Sequence, residues 1–302
     1  MKVGLALGAG AARGWAHIGI IKGLEQLGVK IDVVSGCSIG AYVGGAFVSN
    51  KLDELEQWAY SLTEWQVFTL LGIGFRRGGL ANGQKVFEKH HEEFCVPRFE
   101  DAEKQFTVVA TDLYSGKEVI FNTGLINQAI KASCAIPALF TPIEHDGRWL
   151  IDGAVVNPVP VNQCRNMGAD FVIAVNLSAD FRPQMIDKFE REHAENQLKT
   201  DEFLEKNTTG FMKQWFSSSS KSDRPEPPGI VSVMSSALEI LQARVTRSRL
   251  AGDPPDILIE PQLLDVGLLE FERAEELSKK GFEAVERLAE QIEFQLRNPY
   301  KD

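Results

Sequence analysis

The 302-residue chain contains no apolar run approaching the roughly 18–20 residues that a membrane-crossing helix needs. It is short of positive charge, with 32 basic against 42 acidic residues. The resulting formal net charge of −10 argues against nucleic acid as a partner and against wholesale attraction to anionic lipid. Apolar contact with a bilayer stays open. Cysteine is sparse: Cys37, Cys95, Cys134 and Cys164 include no Cys-x-x-Cys pair, so reduced thiols in a cytoplasmic protein are expected. Apart from the adjacent His90 and His91, no histidine or cysteine pair has ligand spacing, and no metal site is expected. The first ten residues lack the long apolar stretch of a secretory signal, and Arg13 and His17 sit where a cleavage region would follow. They read instead as a strand and a glycine loop.

What the chain does have is Val33-Val34-Ser35-Gly36-Cys37-Ser38-Ile39-Gly40. A β-branched run ends in Gly-x-Ser-x-Gly, and a small-residue helix follows to about Ser49. This is the pattern of a nucleophile elbow, in which one serine sits on a strained turn between strand and helix. Gly36 and Gly40 permit close backbone approach on either side of Ser38. The helix that follows aims its N-terminal dipole at the serine.

Ahead of the elbow, Val3 to Leu7 reads as a buried strand, Gly8 to Gly14 as a loop and Ala12 to Leu27 as a helix. With a second strand at Ile31 to Ser35, the first fifty residues make a parallel βαβ unit. Asp53 is expected to cap a helix through Leu62. The region Trp58 to Phe75 is unusually aromatic. It suits a helix pair packed on the core first, and after that a lid, a patch for peripheral membrane contact or a contact in a homo-oligomer. Strands are expected at Phe106 to Ala110, Val119 to Phe121, Arg148 to Ile151 and Phe171 to Leu177, with short helices at Ile126 to Ser133 and Pro160 to Met167. Residues 181–229 are charged and then rich in Ser and Pro, the composition of a mobile insertion. Residues 230–302 should supply two helices and a strand, Ile257 to Ile259, that returns to the sheet of residues 1–180.

Acyl-ester hydrolysis needs a nucleophile, a base and donors for an oxyanion. Ser38 is the nucleophile candidate. Backbone N–H groups of the Gly8–Gly14 loop, at a helix start, are candidate oxyanion donors. Asp152 stands at a strand end beside Gly153, where partial burial would make it a better base than a solvated carboxylate. A Ser-His-Asp triad fits less well. Its best pairings, Asp112 with His145 or Asp152 with His193, use histidines at a hairpin turn and in the charged segment, and only one strand precedes the elbow. Dinucleotide binding also fails: Gly8-x-Gly10 is followed by Arg13 where the third glycine belongs, and no acidic residue ends the second strand.

Gly8-Ala9-Gly10-Ala11-Ala12-Arg13-Gly14, then Gly36-Cys37-Ser38-Ile39-Gly40, then Asp152-Gly153-Ala154 together resemble the patatin-like phospholipases. So do Ala110 to Leu113, Lys131 to Pro137 and Asn157 to Pro160, while Arg249 to Ile257 resembles the bacterial RssA-type subgroup. The resemblance implies a three-layer α/β/α fold with a mostly parallel central sheet. It implies a Ser38–Asp152 dyad without a catalytic histidine, and an oxyanion hole at Gly10 and Ala11 with Arg13 nearby. Gly8, Gly14, Gly36, Gly40 and Gly153 would support these motifs. The implied substrates are acyl esters of glycerolipids, with no metal or organic cofactor. Ala9 and Ala11 stand where many members carry glycine, which restricts the loop. An acyltransferase using the same Ser38 acyl-enzyme, or a lipid-binding module with little turnover, would fit the same motifs.

Overall fold

The computed structural model describes residues 1–71, 83–180 and 230–297. The expected insertion at 181–229, His193 and Phe75 lie outside these residues.

Among the described residues the chain runs β1 (Val3–Leu7), α1 (Ala16–Gln26), β2 (Val33–Cys37), α2 (Ile39–Val48), α3 (Leu52–Tyr60), α4 (Glu64–Leu71) and α5 (Gln84–Lys89). There follow β3 (Gln105–Asp112), β4 (Glu118–Phe121), α6 (Ile126–Ser133), β5 (Ile143–His145), β6 (Arg148–Asp152), α7 (Val161–Asn166) and β7 (Phe171–Val175). The C-terminal part supplies α8 (Ile230–Gly252), β8 (Ile257–Ile259) and α9 (Ala274–Leu296). The body comprising residues 1–181 and 241–302 carries the sheet.

β1 sits inside the sheet, parallel to β2 on one side and β7 on the other, and β8 extends the parallel part beyond β7. β3 is parallel to β2, while β4, β5 and β6 add antiparallel pairings at the far side. β1 is buried along its whole length, as expected of a strand covered on both faces. The two-residue alternation divides the core: Leu5, Leu7, Val34, Ile173 and Val175 join one apolar cluster with α1, α2 and α9. Ala6, Val33, Val172 and Ala174 join another with Val161 and Cys164 of α7 and Leu250 of α8. The result is three layers around a mixed, mostly parallel sheet.

Three details depart from the sequence reading. β2 begins two residues later and runs to Cys37, because Asp32 folds back and accepts the Val3 N–H at 2.9 Å. Asp53 is not a helix cap: it lies in the first turn of α3 and pairs with Lys22 at 2.8 Å. The third is a short strand, Ile143–His145, that the reading did not name: it pairs with β6 across the hairpin turn expected at Asp146-Gly147, both residues with positive φ.

Candidate active site

Ser38 follows β2 directly and is the residue before α2, with φ 55° and ψ −124°. This is a costly conformation for a residue with a Cβ, and it turns the side chain out of the strand line. Tight packing holds it there. A Cβ on Gly40 would collide with the Leu7 carbonyl, and one on Gly36 would lie 2.6 Å from the Ala41 Cα. The Ser38 carbonyl accepts the N–H groups of Ala41 and Tyr42, which starts the helix.

Strand register brings Asp152 to this serine. β4 occupies one edge of β3 from Val108 to Thr111, so β2 and β6 share the other. β2 ends with Cys37 opposite Val109, and antiparallel β6 ends with Asp152 opposite Ala110. The two strands thus meet end to end along β3, and the residues at their tips face each other. Ser38 Oγ donates to Asp152 Oδ2 at 2.6 Å. The other carboxylate oxygen accepts the Ala154 N–H at 2.8 Å. Gly153 makes the approach feasible, since a Cβ there would strike the Val109 carbonyl oxygen. Both side chains are buried, and burial raises the Asp152 carboxyl to about 7, with the Ser38 and Ala154 donors pulling the other way.

The glycine loop lies against the same elbow. Gly8 and Gly14 pack where a Cβ would meet the Val175 carbonyl and Ile39 respectively. Ala9 N–H is taken by the Pro158 carbonyl at 2.9 Å and Ala12 N–H by Leu268 at 3.0 Å. Ala11 adopts φ 49°, a left-handed conformation in which glycine would be unstrained. Arg13 is buried, and its Nε donates to the Val266 carbonyl at 2.9 Å, which ties the loop to the segment between β8 and α9.

Ser38 and Ala11 line an apolar cleft of about 590 Å³, its open mouth included. Its walls include Trp15, Tyr42, Trp58, Val67, Phe87, Cys134, Phe140 and Phe271. Trp58, Leu62, Val67 and Leu70 therefore join the aromatic region of the sequence to the cleft, and Trp58 packs edge-on against Trp15 at 6.2 Å. Trp65, on α4, is 75% exposed.

The remaining polar residues have other duties. His17 is buried, bonds the Gly8 carbonyl at 2.7 Å and is held neutral, its pKa lowered to about 4 by burial. His90 does the same against the Tyr42 carbonyl. His145 pairs with Asp146 and packs on Phe121. Asp112 Oδ1 accepts the N–H groups of Tyr114 and Ser115, a turn-forming role that leaves it no triad partner in His145. Cys37 is buried among Ala9 and Ala154. Among the described residues no group of histidine, cysteine, aspartate and glutamate side chains is placed to hold a metal ion, and no helix is long and apolar enough to cross a membrane.

One contact was not anticipated. Ser133, at the end of α6, accepts the Ser38 N–H on its Oγ at 2.8 Å and donates to the Val109 carbonyl at 2.6 Å. Its place in the Lys131–Pro137 motif was a signal, but nothing in that motif specifies a bond to the elbow.

Ser38, buried and hydrogen-bonded to Asp152, lines an apolar cleft in a three-layer α/β/α fold, and the proteins this chain resembles mark it as a lipid ester hydrolase. The family model of the patatin-like phospholipases matches residues 5–165, and the chain belongs to that family. It is 32% identical to an uncharacterized NTE family protein of Mycobacterium tuberculosis, over 93% of this chain and 89% of the relative. It is 28% identical to the neuropathy target esterase sws of Drosophila melanogaster, over 59% of this chain and 13% of that protein. It is 25% identical to lysophospholipase NTE1 of Pyricularia oryzae, over 93% of this chain and 18% of that one.

Proposed function

We propose that the protein is a serine hydrolase of the phospholipase A or lysophospholipase type, working through a Ser38–Asp152 dyad. The observation that carries this reading is the 2.6 Å bond between Ser38 Oγ and Asp152 Oδ2 at an apolar cleft. Ser38 Oγ attacks the ester carbonyl carbon while Asp152 takes its proton. The tetrahedral intermediate collapses, the acyl–oxygen bond breaks, and the departing alcohol leaves with the proton from Asp152. Water, deprotonated by the same carboxylate, then attacks the acyl-enzyme and releases the fatty acid and free Ser38. The N–H groups of Gly10 and Ala11 stabilise the oxyanion in both halves. The loop is kept rigid for this by the bonds from Ala9, Ala12 and Arg13 to surrounding carbonyls.

The cleft takes the acyl chain, and its aromatic walls favour apolar contact along it. Exposed Trp65, on the same helix as cleft-lining Val67, makes peripheral contact with the lipid surface.

The test is hydrolysis of a short p-nitrophenyl ester and of a lysophospholipid by wild type, Ser38→Ala and Asp152→Ala, with fluorophosphonate labelling alongside. Each variant should lose about 10³-fold or more in kcat, and Ser38→Ala should not label. Undiminished turnover by Ser38→Ala refutes the reading.

A further inference from the structure

We infer that Ser133 is a positioning residue for the reaction: it sets the place of the nucleophile relative to its base. The inference rests on the Ser38–Asp152 reading and extends it. Ser38 follows the end of β2 and Asp152 ends β6, and the two are joined by neither a shared turn nor a direct backbone bond. Their meeting distance depends on how β2 and β6 terminate along β3. The end of α6 controls both terminations. Ser133 Oγ accepts the Ser38 N–H at 2.8 Å, and the Ala135 carbonyl accepts the Asp152 N–H at 2.9 Å. One three-residue stretch therefore grips the backbones of nucleophile and base together.

The hydroxyl's remaining valence completes the device. An N–H can only donate, so the Ser133 oxygen is the acceptor toward Ser38 and its proton must go elsewhere. It goes to the Val109 carbonyl at 2.6 Å. Val109 is the β3 residue opposite Cys37, and its carbonyl is the atom against which Gly153 packs. Ser133 thus links the tip of β2 to the strand on which β6 is registered. The side chain is fully buried, so no water replaces it when it is removed. Two consequences follow for the chemistry. The strained φ of Ser38 is held by a bond to its own N–H, and that N–H is spent on Ser133, which leaves the oxyanion to other donors. Asp112 and Glu118, the other acids at this end of β3 and β4, are bound to the Tyr114 and Ser115 N–H groups and to Asn157 and Gln163, and neither is hydrogen-bonded to Ser38 or Ser133.

The experiment compares Ser133→Ala, Ser133→Thr and Ser35→Ala with wild type. Ser35 is an equally buried serine whose hydroxyl donates to the Pro160 carbonyl at 2.8 Å, so Ser35→Ala reports the general effect of losing a buried hydroxyl bond. Kinetics on a short ester, the second-order rate of fluorophosphonate labelling, and thermal midpoints are read for each, with Ser38→Ala as the inactive reference. The expected result is a fall of about 10- to 100-fold in kcat and in labelling rate for Ser133→Ala with KM nearly unchanged. Ser133→Thr, which keeps the hydroxyl, should recover at least half of that loss on a logarithmic scale, and Ser35→Ala should lose less than about threefold despite a similar fall in midpoint. Wild-type kcat in Ser133→Ala, or an equal kcat loss in Ser35→Ala, overturns the positioning role while leaving the dyad standing. Should Ser133→Ala fail to fold, Ser133→Thr decides: a folded threonine variant as inactive as Ser38→Ala overturns the inference, and one near wild type supports it. Full activity in Ser38→Ala would instead refute the underlying dyad.

Discussion

Asp152 Oδ1 accepts the N–H of Ala154, two residues along the chain, at 2.8 Å, while Oδ2 is held by Ser38. The carboxylate therefore has one strong donor per oxygen, with only the Cys37 thiol at 4.0 Å beside them. That is too little to offset its burial, and its pKa rises from 3.8 to about 7. A base must be ionised to act, so kcat/KM should fall about tenfold per pH unit below about 7 and level off above it. A pH profile on a short ester checks this. A rate that stays flat down to pH 5 would show that Asp152 does not supply the base.

The same shift has a consequence for stability, with the opposite sign. A carboxyl whose pKa is raised by folding binds more protons in the native than in the unfolded state between pH 3.8 and about 7. Its contribution to stability therefore declines as pH rises through that window and stays low above it. Asp152→Asn removes the penalty. The variant should melt higher than wild type at pH 8, by no more than the equivalent of about 4 kcal/mol, and should match it near pH 4. Thermal scans at both pH values measure this, and a difference independent of pH would rule out a buried charge as its cause.

Much of this site was legible because its parts are local. The elbow needs Gly36 and Gly40 around Ser38, and those requirements are written within five residues. Strand β8 and helix α6 were also read at their observed ends, since each is a short apolar or amphipathic run with a proline shortly beyond its end. The end-to-end meeting of β2 and β6 was not legible, because register along β3 is a long-range property. Nor was the Ser133 bond, for the same reason. α5 and the π-type turn His90–Phe94 were missed because six and five residues are too few to display a helical period. Asp53 misled by matching a capping pattern at a place where Lys22, thirty-one residues earlier, offers it an ion pair.

Gly153 carries the closest packing demand beside Asp152. A Cβ there would overlap the Val109 carbonyl oxygen and lie 3.0 Å from Cys37 Sγ. Backbone cannot yield as a flexible side chain does, so Gly153→Ala must shift the Asp152 end of β6. Displacement of the base by about 1 Å should cost on the order of 100-fold in kcat, more than the accompanying loss of stability explains. The check is kinetics at a temperature well below the variant's midpoint. Wild-type kcat there would mean that the Ser38–Asp152 distance tolerates the shift.

The cleft wall offers a separation of chemistry from substrate fit. Val67 lines the cleft from α4 and is buried, while Trp65, two residues earlier, points outward. Val67→Phe adds bulk inside the cleft without touching Ser38 or Asp152. It should raise KM for long-chain esters by about tenfold or more and leave acetate or butyrate esters unaffected, since even one methylene of lost contact is worth about 1–3 kcal/mol. Trp65→Ala should spare every soluble ester and reduce turnover only on vesicles or micelles. Equal loss on short soluble esters in either variant would place these residues in support of the dyad rather than in contact with lipid.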